Sequence, residues 1–198
     1  MKVLFATTNP AKIKFYAEAL KNAGLEVLTL KDLDINMKVE ENGKTALENA
    51  YLKAKGYYDI AHIPTIGIDD NLYIEGIPDN LQPGTHVRRV NGRELNDDEM
   101  LEYYQKLVDD HGNKLVAKWV YGLVIYDGTN KYEYSWSKND FYLVANPSAK
   151  RHPGYPLDSI SIDPLTNKYF TELTEEDKKN CNNIYYENDI IKFILGHL

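Results

Sequence analysis

Apolar residues run without interruption from Val3 to Ala6, and Lys2 to Thr7 reads as a buried strand that Asn9-Pro10 then breaks. From Ala11 to Ala23 the period changes. Ile13, Tyr16, Ala17 and Leu20 fall on one side of a helix, and Gly24 supplies the residue at which such a helix ends. Leu25 to Leu30 returns to a strand pattern. Strand, loop, helix and strand in that order are the signature of an α/β unit with parallel strands.

Thr45 and Glu48 have the spacing of a capping box, and a helix is predicted from Ala46 to Tyr58. Ile63 to Ile68 predicts another buried strand, ending at Asp69-Asp70. Pro78 to Gly92, rich in Pro, Gly and Asn, reads as a long loop. Asn96-Asp97-Asp98-Glu99 opens a helix carried on by Met100, Tyr103, Tyr104 and Leu107. Strands are predicted over Lys114–Asp127, Lys131–Asn139 and Asp140–Ala145, with a hairpin-type turn at Asp127-Gly128. Asn146 to Pro156 is loop, Thr174 caps a helix with Asp177 in its first turn, and a last helix runs from about Asn188 to Leu195. With no repeat, low-complexity segment or linker, the 198 residues read as a single domain, 1–198.

Composition narrows the function. A net charge of −7 argues against a protein that coats nucleic acid, yet leaves room for a small anionic substrate held in a locally positive cleft. The single cysteine, Cys181, lies in the polar run Lys178 to Asn183 with no activating neighbour and reads as inert; no internal disulfide is possible. No apolar run approaches the ~20 residues of a membrane span, and the N-terminal one is too short for a signal peptide, so a cytoplasmic location is expected. The five histidines lack ligand spacing, and no nucleophile motif is present.

Five constellations carry candidate chemistry. Thr7-Thr8-Asn9-Pro10-Ala11-Lys12 joins a strand to a helix, where main-chain N–H groups favour anions and Thr8, Asn9 and Lys12 add hydrogen bonds and charge. A simple Asx-type turn is the alternative. Glu41 precedes a helix on which Asn49 and Lys53, four apart, share a face; the carboxylate is placed to meet a metal, or is part of a solvated acidic loop. Asp69-Asp70-Asn71 follows a strongly apolar strand, and paired carboxylates there suit Mg2+ and general-base work. The loop Pro153-Gly154-Tyr155-Pro156-Leu157-Asp158-Ser159 offers an aromatic face and a carboxylate to a base. Glu172-Leu173-Thr174 is followed by Lys178 one helical turn on.

Taken in order, these segments resemble the Ham1 family, the inosine triphosphate pyrophosphatases, over most of the chain. Ala6 to Lys12 looks like the family's A-T-x-N-x-x-K; Glu41 to Gly43 with Glu48-Asn49-Ala50 and Lys53-Ala54 like its E-x-G…E-N-A-x-x-K-A; Asp69 to Leu72 like its D-D-S-G-L. Pro83-Gly84 with Arg88-Arg89 resembles its P-G…S-A-R-Y, and Glu172-Leu173-Thr174…Lys178 its A-E-L…K. The resemblance implies an α/β fold with a long twisted mixed sheet and flanking helices forming two lobes around a central cleft. It implies a homodimer and a Mg2+-dependent attack of water on the α-phosphorus of aberrant purine triphosphates such as ITP, dITP and XTP. Carried over by position, Thr7, Thr8, Asn9, Lys12 and Lys53 hold the triphosphate, and Glu41 and Asp69 hold metal. Asp69 and Asp70 are the catalytic pair, and Arg89, Tyr155, Asp158 and Lys178 meet the base. Aligned without gaps, Asp69 falls on the second aspartate of the family motif, Asp70 on its serine and Asn71 on its glycine; a one-residue deletion would make Asp70 that aspartate instead. The family's Ser-His-Arg is replaced by Asn182-Asn183-Ile184, and its G-Y-D-P-I-F by Gly154-Tyr155-Pro156-Leu157-Asp158-Ser159. The phosphate end is therefore expected intact and the base end rebuilt. A catalytically silent nucleotide-binding protein, and a Maf-like pyrophosphatase of modified pyrimidine nucleotides, stay open as alternatives.

Overall fold

The opening pattern folds as it reads. Strands β1 (Lys2–Ala6) and β2 (Glu26–Thr29) pair in parallel with Val3 opposite Val27. Between them lies a helical run over 10–22, here α1: α-helical over Pro10–Lys12, π-helical over Ile13–Ala17, α-helical again over Glu18–Asn22. The computed structural model describes residues 1–180 and 183–198, and the side chains of residues 11, 15 and 179–187 are not part of that description. The reading of Cys181 as inert, and the side chains that replace Ser-His-Arg, lie outside the described residues.

Helix α2 (Ala46–Ala61) begins at Thr45, whose hydroxyl accepts the Glu48 N–H, and ends at His62 in the left-handed region. Strand β3 (Thr65–Ile74) then runs parallel to β1, with Ala6 opposite Gly67. The strand starts two residues later than the sequence pattern predicts, after Pro64, and continues six residues further. Leu72 and Ile74 are fully buried and keep the alternation going. Asp69 and Asp70 therefore lie inside a strand rather than at its end, which corrects the sequence reading.

The remaining elements are β4 (Arg89–Val90), β5 (Arg93–Glu94), α3 (Asp97–Asp110), β6 (Lys114–Tyr126), β7 (Lys131–Ser137), β8 (Phe141–Val144), β9 (Ser161–Ile162), α4 (Glu175–Asn180) and α5 (Asn183–Gly196). The long loop predicted over Pro78 to Gly92 thus contains half of a small hairpin, β4 with β5. Helix α3 has the full capping box, Asn96 and Glu99 each bonding the other's main-chain N–H. Helix α5 starts five residues earlier than its apolar pattern predicts.

The chain divides into two compact units: Met1–Asp70, Val120–Trp136 and Tyr185–Leu198 form the first, Asn71–Trp119 and Ser137–Ile184 the second. In the first the strand order is β2-β1-β3-β6-β7, and its core gathers Val3, Phe5, Leu20, Ile66, Ile68 and Ile125. In the second the order is β3-β6-β8-β9, the last three antiparallel, and α3 buries Met100, Tyr104, Leu107 and Val108 among Leu72, Ile74 and Leu143. The sheet is mixed in its strand directions. Among the described residues no helix is long and apolar enough to cross a membrane.

Helix α2 lies unusually close to the sheet of the first unit. Ala46, Ala50 and Ala54, spaced by four, form a buried face without bulk. Opposite them stand two glycines: a Cβ on Gly67 would come 2.1 Å from the Ala50 main-chain oxygen, and one on Gly122 would come 2.5 Å from the Leu47 nitrogen. This close approach lets Lys53, on α2, reach β3.

Candidate active site

Open α/β folds gather ligands at strand carboxyl ends, and the candidate site of the first unit is built where β1 ends, beside the interior of β3. Since Ala6 stands opposite Gly67, Thr7-Thr8-Asn9 leaves β1 beside the part of β3 that carries Asp69 and Asp70. The turn is tied locally: Thr7 Oγ1 accepts the Asn9 N–H at 3.2 Å and Asn9 Oδ1 accepts the Lys12 N–H at 3.4 Å. Thr7 is buried and Thr8 exposed.

Successive strand residues point to opposite faces, and this separates the two aspartates. Gly67 and Asp69 face α2: Lys53 Nζ donates to Asp69 Oδ1 at 3.0 Å and to the Ile68 main-chain oxygen at 3.3 Å. Ile66 and Ile68 pack on the α1 side with Ile13 and Tyr16, and Asp70, next in that series, forms an ion pair with Lys12. Glu41 joins the α2 side, its Oε2 3.0 Å from Lys53 Nζ. The segment bearing Glu41 is pinned to α2 a second time, because Gly43 donates its N–H to Asn49 Oδ1 at 2.8 Å. Asn49 is almost wholly buried and sits one helical turn before Lys53. Tyr57 fixes the same segment upstream, its hydroxyl donating to the Met37 main-chain oxygen. The sequence shows Asn49 sharing a face with Lys53; it carries no sign that Asn49 holds the Glu41 segment.

Burial would lower the proton affinity of the Lys53 ammonium, but Asp69 and Glu41 outweigh that and hold its pKa above the ordinary lysine value. Lys53 is therefore a cation throughout the physiological range. Among the described residues Asp69 Oδ2 is buried and has no hydrogen-bond partner. An acceptor-only oxygen left in that state invites a cation or a donor. No group of three or more His, Cys, Asp or Glu side chains among the described residues is arranged around a metal position. Two carboxylates, Glu41 and Asp69, the latter with one orphaned oxygen, and the rest of the shell left to water and phosphate suit a hard ion of the Mg2+ type.

The second unit holds the other sequence candidates. Tyr155 is exposed, and the main chain winds tightly around it: its N–H donates to the His152 oxygen at 2.9 Å and its oxygen accepts the Asp158 N–H at 3.1 Å. Asp158 Oδ2 lies 2.8 Å from His152 Nδ1. Burial pushes the Asp158 carboxyl above its usual pKa, against the pull of His152, Lys138 and Lys178. Lys178 also bonds Glu175 in its own helix. Arg89 is exposed on β4 and among the described residues makes no contact with this group, whereas Arg88 pairs with Asp97 at 2.8 Å, and Asp97 in turn accepts the Gly154 N–H at 2.8 Å. His152 and Asp97 are absent from the sequence candidates. A histidine six residues before an aspartate across a Pro-Gly loop is a weak signal, and Asp97 reads only as part of a helix start.

A lysine–carboxylate cluster where β1 ends beside the interior of β3, in a mixed sheet, defines an α/β protein equipped for an anionic, cation-associated ligand. Comparison with known proteins makes the class specific. The Ham1 family model matches residues 3–184. A protein of Aquifex aeolicus named dITP/XTP pyrophosphatase is 33% identical over 194 residues, covering 92% of this chain and 90% of its own. One of the same name from Dictyoglomus thermophilum is 27% identical over 195 residues, covering 98% and 93%. The solved HAM1 protein of Coxiella burnetii superposes with a TM-score of 0.80 at 18% identity, over 100% of both chains, and supports the fold. The chain belongs to the Ham1 family.

Proposed function

We propose that the protein is a Mg2+-dependent nucleoside-triphosphate pyrophosphatase that removes nonstandard purine nucleotides, of the dITP and XTP kind, from the nucleotide pool. The observation that carries this reading is the convergence of Lys12, Lys53, Glu41, Asp69 and Asp70 on one stretch of β3. The names of the relatives supply the substrate class.

On this reading Lys12 and Lys53, with Thr7, Thr8 and Asn9, receive the triphosphate, and Glu41 and Asp69 hold the ion. A bound Mg2+ polarises phosphoryl oxygens and lowers the pKa of coordinated water. Asp69 would serve both the ion and the attacking water, one oxygen holding the ion and the other taking the proton of the water that attacks the α-phosphorus; the bond to the β-phosphate oxygen breaks, and pyrophosphate leaves from a nucleoside monophosphate. Asp70 governs Lys12 from the other face. Arg89, Tyr155, Asp158 and Lys178 are assigned to the base. The family resemblance also supports a homodimer and a cytoplasmic setting for this housekeeping activity.

A panel of ITP, dITP, XTP and the four common NTPs with Mg2+ tests the proposal, with pyrophosphate and orthophosphate detected separately. Stoichiometric pyrophosphate from the nonstandard purines is expected. Stepwise orthophosphate release, or nucleotide binding without turnover, would sink it.

A further inference from the structure

Lys53 occupies the point where two carboxylates meet. Its Nζ lies 3.0 Å from Glu41 Oε2, 3.0 Å from Asp69 Oδ1 and 3.3 Å from the Ile68 main-chain oxygen. The ammonium has three N–H donors and finds three oxygen acceptors, so its bonding is complete without any phosphate. The side chain is only 12% exposed. Lys12 is likewise engaged, by Asp70. A polyanionic nucleotide therefore approaches two lysines whose charges are already answered, and a divalent cation is attracted where the nucleotide is not.

Resting on the pyrophosphatase reading and deepening it, we propose that Lys53 is a monovalent placeholder for the divalent ion and enforces an order of binding, ion first and triphosphate second. The buried, unpartnered Asp69 Oδ2 gives the incoming ion a first oxygen while Lys53 still holds Oδ1. As the ion draws in Glu41 as well, ammonium and ion compete for the same two carboxylates at contact distance, and the doubly charged species prevails. The displaced Lys53 ammonium swings off the carboxylates and becomes free to meet phosphate. In this arrangement one lysine excludes the metal-free nucleotide and then helps bind the metal complex.

The test reads metal binding directly, without turnover. Mn2+ is titrated into the nucleotide-free wild type and into Lys53→Gln, and free ion is counted by electron paramagnetic resonance. Removing the competing charge should tighten Mn2+ about tenfold or more; unchanged or weaker binding would overturn the proposal. A second measurement needs no variant. Acetylation of Lys53 in the wild type, followed by mass spectrometry, should accelerate when Mg2+ is added, as the amine leaves its carboxylates. An unchanged or slower rate would equally overturn it. A protein that shows both effects but cleaves no triphosphate would refute the pyrophosphatase reading and leave the exchange of Lys53 for the ion standing.

Discussion

Asp69 and Asp70 are neighbours in the chain, yet the strand turns them to opposite faces, one to Lys53 and the other to Lys12. Two adjacent carboxylates in a sequence look interchangeable; two in a strand cannot share a role that depends on one direction. Asp69 is buried, has an uncommitted oxygen and lies on the face with Glu41. Asp69→Asn keeps the size and the Lys53 contact but removes charge and basicity, so kcat should fall by the ~10²–10⁴-fold typical of a lost general base. Asp70→Asn should cost less, because it frees Lys12 without touching the ion's carboxylates. Steady-state kinetics of both variants, with circular dichroism to confirm folding, check this. A dead Asp70→Asn beside an active Asp69→Asn would reverse the assignment and favour the gapped alignment. The residue types of this site were legible in the sequence, since lysine, glutamate and paired aspartates stand at recognisable spacings. Which lysine meets which aspartate was not, because that depends on the phase of β3, and the phase is fixed by Gly67 and Ile68 packing on different helices.

At the scale of elements, the geometry rests on the closeness of α2 to the sheet. Each of Ala46, Ala50 and Ala54 is an ordinary helix residue in the sequence, and Gly67 looks like a weakness in a strand. Together they make a seam in which no side chain separates main chain from main chain. Gly67→Ala places a methyl 2.1 Å from the Ala50 oxygen, a main-chain atom that can yield only if the helix moves. Overpacking of this kind costs about 1–3 kcal/mol, or roughly 2–12 °C in melting temperature for a chain of this length. Activity should fall further than stability explains, because Lys53 and Asp69 sit on the two parts being pushed away from each other. A thermal melt and kcat/KM measured well below the transition separate the two effects, and an unchanged melting temperature would contradict the seam. Periodicity disclosed the longer elements and their order, but the short strands β4, β5 and β9 and the end of β3 escaped it. Asp69 and Asp70 look like a turn in one dimension, and only the burial of Leu72 and Ile74 carries the strand past them. The π-helical stretch of α1 has no counterpart in the apolar spacing of Ile13, Tyr16 and Leu20.

At the scale of the whole chain, the residues assigned to phosphate and ion all belong to the first compact unit, and those assigned to the base all belong to the second. Every nucleoside triphosphate carries the same phosphates, whereas bases differ, so the two sets should fail differently when altered. Lys12→Ala removes a charge-assisted contact worth about 1.5–3 kcal/mol, and kcat/KM should drop roughly ten- to hundredfold by the same factor for ITP, XTP and GTP alike. Asp158→Asn keeps shape and an acceptor for His152 while removing a carboxylate that burial has already made costly to ionise. The fold should tolerate that change, and what alters is the set of donors and acceptors that His152 and its loop present. The ratio of kcat/KM between ITP and GTP should move by about fivefold or more, the low end of the 1–3 kcal/mol for a lost hydrogen-bond partner, with little change in the dependence on Mg2+. Ratios measured in mixtures, where both nucleotides compete for one enzyme, read this without error from active-site concentration. If Lys12→Ala shifts the ratio while Asp158→Asn lowers all substrates equally, the division of labour between the two sets is wrong, and the loop at 152–158 serves the phosphates instead.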